Sequence, residues 1–124
     1  MKHAAMKRLE KRSMSRPSEV RKFKLGQVEL VTLGGVIFGK AVFQPGWRWS
    51  TCVKPIVNTK SCDMTHLVYH ISGKWHVVMD DGTENDFGPG DVAFIPPGHD
   101  AWVIGVEPLV ILDLVGMKDY ALMR

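Results

Sequence analysis

From Gln27 onward the chain is a succession of short runs in which β-branched, aromatic and other apolar residues predominate: VELVTL, VIFGKAVF, THLVYHI, KWHVVM, DVAFI, AWVIG and PLVILDL. Runs of this length and composition read as β-strands. Gly34-Gly35, Pro45-Gly46, Asp81-Gly82, Gly88-Pro89-Gly90 and Pro96-Pro97-Gly98 stand between them and supply turn chemistry. Seven or eight strands divided by tight turns predict an all-β domain, an antiparallel sandwich or barrel. Asp81-Gly82, between HVVMD and TENDF, gives the sharpest hairpin signal and predicts a type I′ turn. The longest connection, from about Val53 to Asp63, is polar and predicts a flap at the barrel mouth.

The N-terminal stretch has a different texture. Residues 2–12, KHAAMKRLEKR, are good helix formers followed by a Ser, Arg and Pro segment, which predicts a short helical or extended arm. Residues 1–24 carry nine Lys or Arg against Glu10 and Glu19, a net +7, whereas the rest carries seven basic against eleven acidic side chains, a net −4. This divides the chain into a basic arm, 1–24, and a barrel domain, 25–124. The arm lacks the interleaved aromatics and the Gly-rich or zinc-finger spacing of nucleic-acid readers, so a solvated arm packed on the barrel or on a second subunit is the expectation. No stretch approaches the roughly 18 apolar residues of a membrane helix, and Met1 to Glu10 lacks a signal-type apolar core, which predicts a soluble, cytoplasmic protein. In such a compartment Cys52 and Cys62 are expected as thiols or metal ligands, not as a disulfide.

The stretch from Pro45 to Asp113 resembles the cupin superfamily. That family's first motif opens on Pro-Gly and closes on a Gly after a strand, here Pro45-Gly46 and Gly73. Its second motif, a Gly-Asp turn, an apolar strand and Pro-x-Gly, is matched by Gly90-Asp91, VAFI and Pro96-Pro97-Gly98. The resemblance implies a double-stranded β-helix, an antiparallel barrel around one internal pocket. It also implies metal ligands, carried over residue by residue. Seven positions before Gly73, where the family has Glu, stands His66; four before that, at the usual second His, stands Cys62. Six after Gly46, at the place of the first His, stands Cys52, and the closing His of the second motif falls on Ala101, with His99 two residues before it. The candidate ligand set is therefore Cys62, His66 and His99, with or without Cys52 as a fourth member.

Thiolate and imidazole are soft to borderline donors, so this set favours a divalent transition metal, zinc first, with iron, nickel or copper as alternatives. Three ligands would leave a vacancy for catalysis, and four would close a structural centre; a barrel that has lost its metal and kept a polar pocket is the other reading. His70, at even spacing from His66, is expected to face inward as well, either as a general base or as a core histidine bonded to a carbonyl. His76 has odd spacing and is expected to face solvent. Trp47 and Trp49 share one face in PGWRWS, with Arg48 on the other, and fill core volume or border the pocket; Trp49 and Trp102 are the candidate ligand-binding aromatics. Lys54, Lys60 and Asp63 belong to the flap, and Asp100 or Asp113 would orient a ligand histidine. These expectations describe a metal-dependent enzyme acting on a small polar metabolite. Their alternatives are a binding or sensing module for a small molecule, and a barrel stabilised by structural zinc. Cupins commonly pair through their sheets, and Val28 to Phe43 suggests a homodimer.

Overall fold

The computed structural model describes residues 8–122. Nine strands appear in it: β1 (Glu19–Phe23), β2 (Gly26–Leu33), β3 (Val36–Phe43), β4 (His66–Ser72), β5 (Lys74–Met79), β6 (Glu84–Phe87), β7 (Val92–Ile95), β8 (His99–Ile104) and β9 (Leu109–Asp113). They form two antiparallel sheets, one ordered β1-β2-β3-β9-β4-β7 and one ordered β6-β5-β8. Strand pairing does not close the two into one continuous barrel; they face each other as a sandwich around a shared core. Alternation decides what each strand contributes to that core. On β4 the inward residues are His66, Val68 and His70, on β9 Leu109, Ile111 and Asp113, and on β8 His99, Ala101 and Val103. Stacked rings fill the middle, with Phe43 lying 4.0 Å from Trp47 and 5.9 Å from Trp75 between ring centroids.

Several local features differ from the sequence expectation. The segment from Val53 to Asp63 is not a plain loop: a short helical turn, α1 (Trp49–Cys52), leads up to it and a second, α2 (Lys54–Val57), lies inside it. Pro55 sits in the first turn of α2, where its missing N–H costs nothing. Single backbone bridges from Arg48 to Trp102 and from Cys62 to His99 pin both ends of this excursion to β8. The β5–β6 hairpin forms where Asp81-Gly82 predicts it, but Gly82 alone has positive φ (+92°), and Met79 N–H donates to the Thr83 carbonyl at 2.7 Å. A three-residue loop with glycine in the left-handed position replaces the type I′ turn, because Asp81 holds Thr83 with its own carboxylate instead of entering the left-handed region.

No helix forms between residues 8 and 18; the predicted helical stretch otherwise lies outside the described residues, as does His3. The large sheet begins at Glu19, within the basic stretch, since β1 pairs with β2 from Glu19–Leu30 to Phe23–Gly26. The exposed apolar side chains are not concentrated on β2 and β3, where Lys40 lies 4.0 Å from Glu29, but on the outer face of β4 and β7: Leu67, Tyr69, Ile71, Val92 and Phe94. No helix among the described residues is long and apolar enough to cross a membrane.

Candidate metal centre

β4 begins at His66 and β8 at His99, and the bridge that draws Cys62 alongside His99 places all three at one end of the core. Cys62 N–H donates to the His99 carbonyl at 2.8 Å, and Gly98 N–H donates to the Cys62 carbonyl at 2.7 Å. The three side chains are buried, and their donor atoms lie within 4.8 Å of one another. Cys62 Sγ is 3.7 Å from His66 Nε2. Ligands about 2.3 Å and 2.0–2.1 Å from one tetrahedral ion stand at roughly this separation.

Each imidazole is oriented by a partner on the far side of its ring. Asp113 ends β9 and is fully buried, two residues diagonally from His66 across the β9–β4 ladder, in which it pairs with Val68. Its Oδ2 lies 2.5 Å from His66 Nδ1. Its Oδ1 accepts from the backbone N–H groups of Leu67, Val115 and Gly116, at 3.3, 3.0 and 3.0 Å. Burial pushes the Asp113 pKa up, but the His66 hydrogen bond and the backbone donors outweigh it, and the net shift is downward. An ionised acceptor puts the proton on His66 Nδ1 and leaves Nε2 as a lone pair facing Cys62. The loop that follows fits only because residue 116 is glycine: a Cβ there would stand 2.2 Å from His66 Nδ1. His99 Nδ1–H donates to the Pro96 carbonyl at 2.8 Å, which again directs Nε2 inward. Burial above all, with a smaller lowering from the neighbouring His66 ring, holds the His99 pKa down at about 4, so His99 is a neutral ligand at neutral pH. Two imidazoles and a thiol with their outer atoms already satisfied form a donor set that can hold a divalent metal ion.

A cavity of about 10 Å³, room for roughly one water molecule, adjoins the two histidines. Phe43, Trp47, Trp49 and Trp75 border it, and Met117 and Tyr120 close it from the C-terminal side. That C-terminal turn is gripped by Arg21 of β1, whose guanidinium donates to the carbonyls of Met117, Lys118 and Tyr120 at 3.1, 2.7 and 2.8 Å. Neither Arg21 nor this turn carries a sequence signal for a site. A roomier, mostly apolar cleft of about 190 Å³ opens between β6 and β7, and none of the three donor residues lines it.

The remaining candidates fall in different places. Cys52 is buried and not disulfide-bonded, but it stands outside the three-donor group, and its thiol approaches Thr51 Oγ1 at 3.6 Å. Trp49 borders the cavity. Trp102 does not: it sits on the outer face of β8, under the Arg48 guanidinium at 4.0 Å and beside His76 at 4.8 Å, because alternation from His99 turns it outward. Asp100 accepts from Ser50 N–H and lies 3.7 Å from Arg48, so Asp113 is the carboxylate that orients a ligand histidine. His70 faces inward as its spacing predicts, yet both ring nitrogens are engaged: Nδ1–H donates to the Asp91 carbonyl and Nε2 accepts from Trp75 Nε1–H, each at 2.9 Å. Burial lowers its pKa, against the Asp91 carbonyl, and a proton on Nε2 would break the Trp75 bond. The Trp75 indole stands between His70 and the cavity. Outside the core, His76 bonds Asp86 through Nδ1 and Glu84 through Nε2, the latter at 2.7 Å.

No family model matches the chain, and no curated protein matches it. Solved structures do. A protein of unknown function from Rhizobium leguminosarum bv. viciae 3841 superposes with a TM-score of 0.61 at 16% identity, over 88% of this chain and 97% of its own. A polyketide cyclase from Streptomyces resistomycificus gives 0.61 at 15% identity, over 90% and 81%. A cupin-like protein from Thermotoga maritima gives 0.53 at 18% identity, over 77% and 72%. Oxalate decarboxylase from Bacillus subtilis gives 0.57 at 23% identity; 83% of this chain aligns, spanning 29% of that one. At these identities the shared feature is the fold, and the chain has the cupin fold. Within it, Cys62, His66 and His99 are a group able to bind a metal.

Proposed function

We propose that this protein is a small metal-dependent cupin enzyme that holds one divalent transition ion, zinc by preference, and acts on a small polar metabolite. The observation that carries this reading is the convergence of Cys62, His66 and His99, with both imidazoles locked as Nδ1–H tautomers by Asp113 and Pro96. The thiolate argues for zinc over harder ions, since oxygen-rich donor sets suit manganese and magnesium. Mn(II) centres are described for the Bacillus subtilis oxalate decarboxylase; a site containing Cys62 departs from that preference. Three protein donors leave a coordination position open, which is the arrangement of catalytic zinc, whereas a closed structural centre needs a fourth ligand, and Cys52 stands outside the group. Zinc so held supplies a Lewis acid that polarises a substrate oxygen. The chain's own residues orient the ligands, exclude water with Trp49, Met117 and Tyr120, and seal the pocket through Arg21. His70 has no part in this reading.

Elemental analysis of untagged protein tests it. About one equivalent of zinc per chain, retained by Cys52→Ser and lost from Cys62→Ser, is the expected result. Protein that neither carries nor takes up a transition metal, or that loses it on Cys52→Ser, contradicts the reading.

A further inference from the structure

In an antiparallel sandwich the strand face turned away from the core is ordinarily polar. β4 and β7 break that rule. On β4 the inward residues are His66, Val68 and His70, and the outward ones, Leu67, Tyr69 and Ile71, are the more apolar set. On β7 the outward residues are Val92 and Phe94, which stand opposite Tyr69 and Leu67 in the ladder. Leu112 of β9 pairs with Tyr69 from the other side, and Leu114 extends the surface past the end of that strand. Strands that are apolar on both faces are the pattern of strands covered on both faces. The outer face of the small sheet is the contrast, since His76 there bonds Glu84 and Asp86, and Arg48 lies over Trp102. β7 is also an edge of the large sheet and carries no charge, whereas the edge strands β1 and β6 do.

Leu67, Tyr69, Ile71, Val92, Phe94 and Leu114 are between 37% and 68% exposed. On typical side-chain areas this is roughly 500 Å² of apolar surface, at the upper end for an ordinary monomer and well over half of the about 800 Å² each partner gives to a stable interface. Between Phe38, Leu67, Tyr69, Val92, Leu112 and Leu114 the face is indented by a groove of about 270 Å³, larger than the roughly 150 Å³ that accommodates benzene. Phe94 projects beside it, directly across the ladder from Leu67.

We infer that this face is a two-fold interface with a second copy of the chain, in which Phe94 of each protomer enters the groove of its partner. A ring and a groove side by side on one patch are self-complementary, as a two-fold contact requires. Charge points to the same occupant. Identical charged patches would repel each other, but no charged residue lines the groove, and Lys40, opposite Leu112, lies 4.0 Å from Glu29. An anionic lipid surface would call for a cluster of Lys and Arg, which the lining lacks. Residues 1–7, MKHAAMK, offer only Met1 and Met6 as large apolar side chains beside two lysines. The face points away from the three metal donors, so the inference stands apart from the metal reading.

Sedimentation of the full chain as isolated, from low to high micromolar concentration, tests it. The expected result is the mass of two chains. Phe94→Asp should weaken the dimer by at least about 100-fold, because a two-fold counts each substitution twice. Val20→Asp, at an exposed apolar position on the opposite edge of the sheet, should leave it intact. Should Phe94→Asp fail to fold, Leu114→Asp makes the same break outside the strands. A chain that stays single at high micromolar concentration overturns the inference, as does a dimer indifferent to both Phe94→Asp and Leu114→Asp. So do a single chain that floats with phosphatidylglycerol vesicles and one that pairs only after residues 1–7 are removed, since lipid or the arm is then the occupant.

Discussion

At the start of β4 the His66 imidazole donates its Nδ1–H to a buried carboxylate and leaves Nε2 beside a thiol; two pleat repeats further along the same face, His70 holds a carbonyl with one nitrogen and an indole N–H with the other. Strand, burial and residue type are the same. The difference lies in the groups around each ring. Asp113 and Gly116 leave His66 a lone pair to offer, while Asp91 and Trp75 use up both ends of His70. A histidine's role in this core is set by what its second nitrogen meets.

Breaking the two sites separately should give opposite phenotypes. The largest effect is expected from His66→Ala, which should weaken zinc binding by more than about 100-fold, beyond the range typical of losing an outer-shell partner. Competition against a chelating dye measures this. His70→Ala should leave zinc affinity within about twofold, yet lower stability by about 3 kcal/mol through a core void and an orphaned Trp75 N–H, read from denaturant unfolding. Asp113→Asn keeps the shape but removes the charge, and zinc affinity should fall roughly 10- to 100-fold. Gly116→Ala should act in the same direction by displacing His66, with a loss close to that of Asp113→Asn.

A third histidine gives the smallest effect. On the outer sheet face His76 is flanked by Asp86, the stronger influence, and Glu84, and its pKa is raised. Its folded value exceeds its unfolded one, near 6.5. The stability it adds is therefore fully present below that unfolded value and fades as pH rises through the raised folded one. Asp86→Asn should flatten this part of a pH-dependent thermal-melting profile and leave zinc binding unchanged.

Much of the fold was legible because its central strands are apolar and its turns are built from Gly and Pro. β1 (EVRKF) escaped the apolar pattern and β6 (ENDF) was legible only through its hairpin turn: both sit at sheet edges, where polar side chains are tolerated and guard against mispairing. Cys62, His66 and His99 were reachable through spacing and motif, and the even interval from His66 to His70 correctly turned both inward. Trp102 stands three residues after the inward His99, an odd interval that places it on the outer face of β8. What the sequence could not convey is distance across the fold: that Asp113 reaches His66 over 47 positions, that Asp91 and Trp75 close off His70, or that Arg21 grips a turn some 96 to 99 residues away.

In the proposed centre one thiolate and two imidazoles share a single ion. Titrating cobalt into reduced, metal-free protein while recording the near-ultraviolet thiolate-to-cobalt transition tests it most directly. The expected result is a band that saturates at one equivalent, persists in Cys52→Ser and His70→Ala, and vanishes in Cys62→Ser. Cobalt that binds without that band, or a band indifferent to Cys62→Ser, would contradict it.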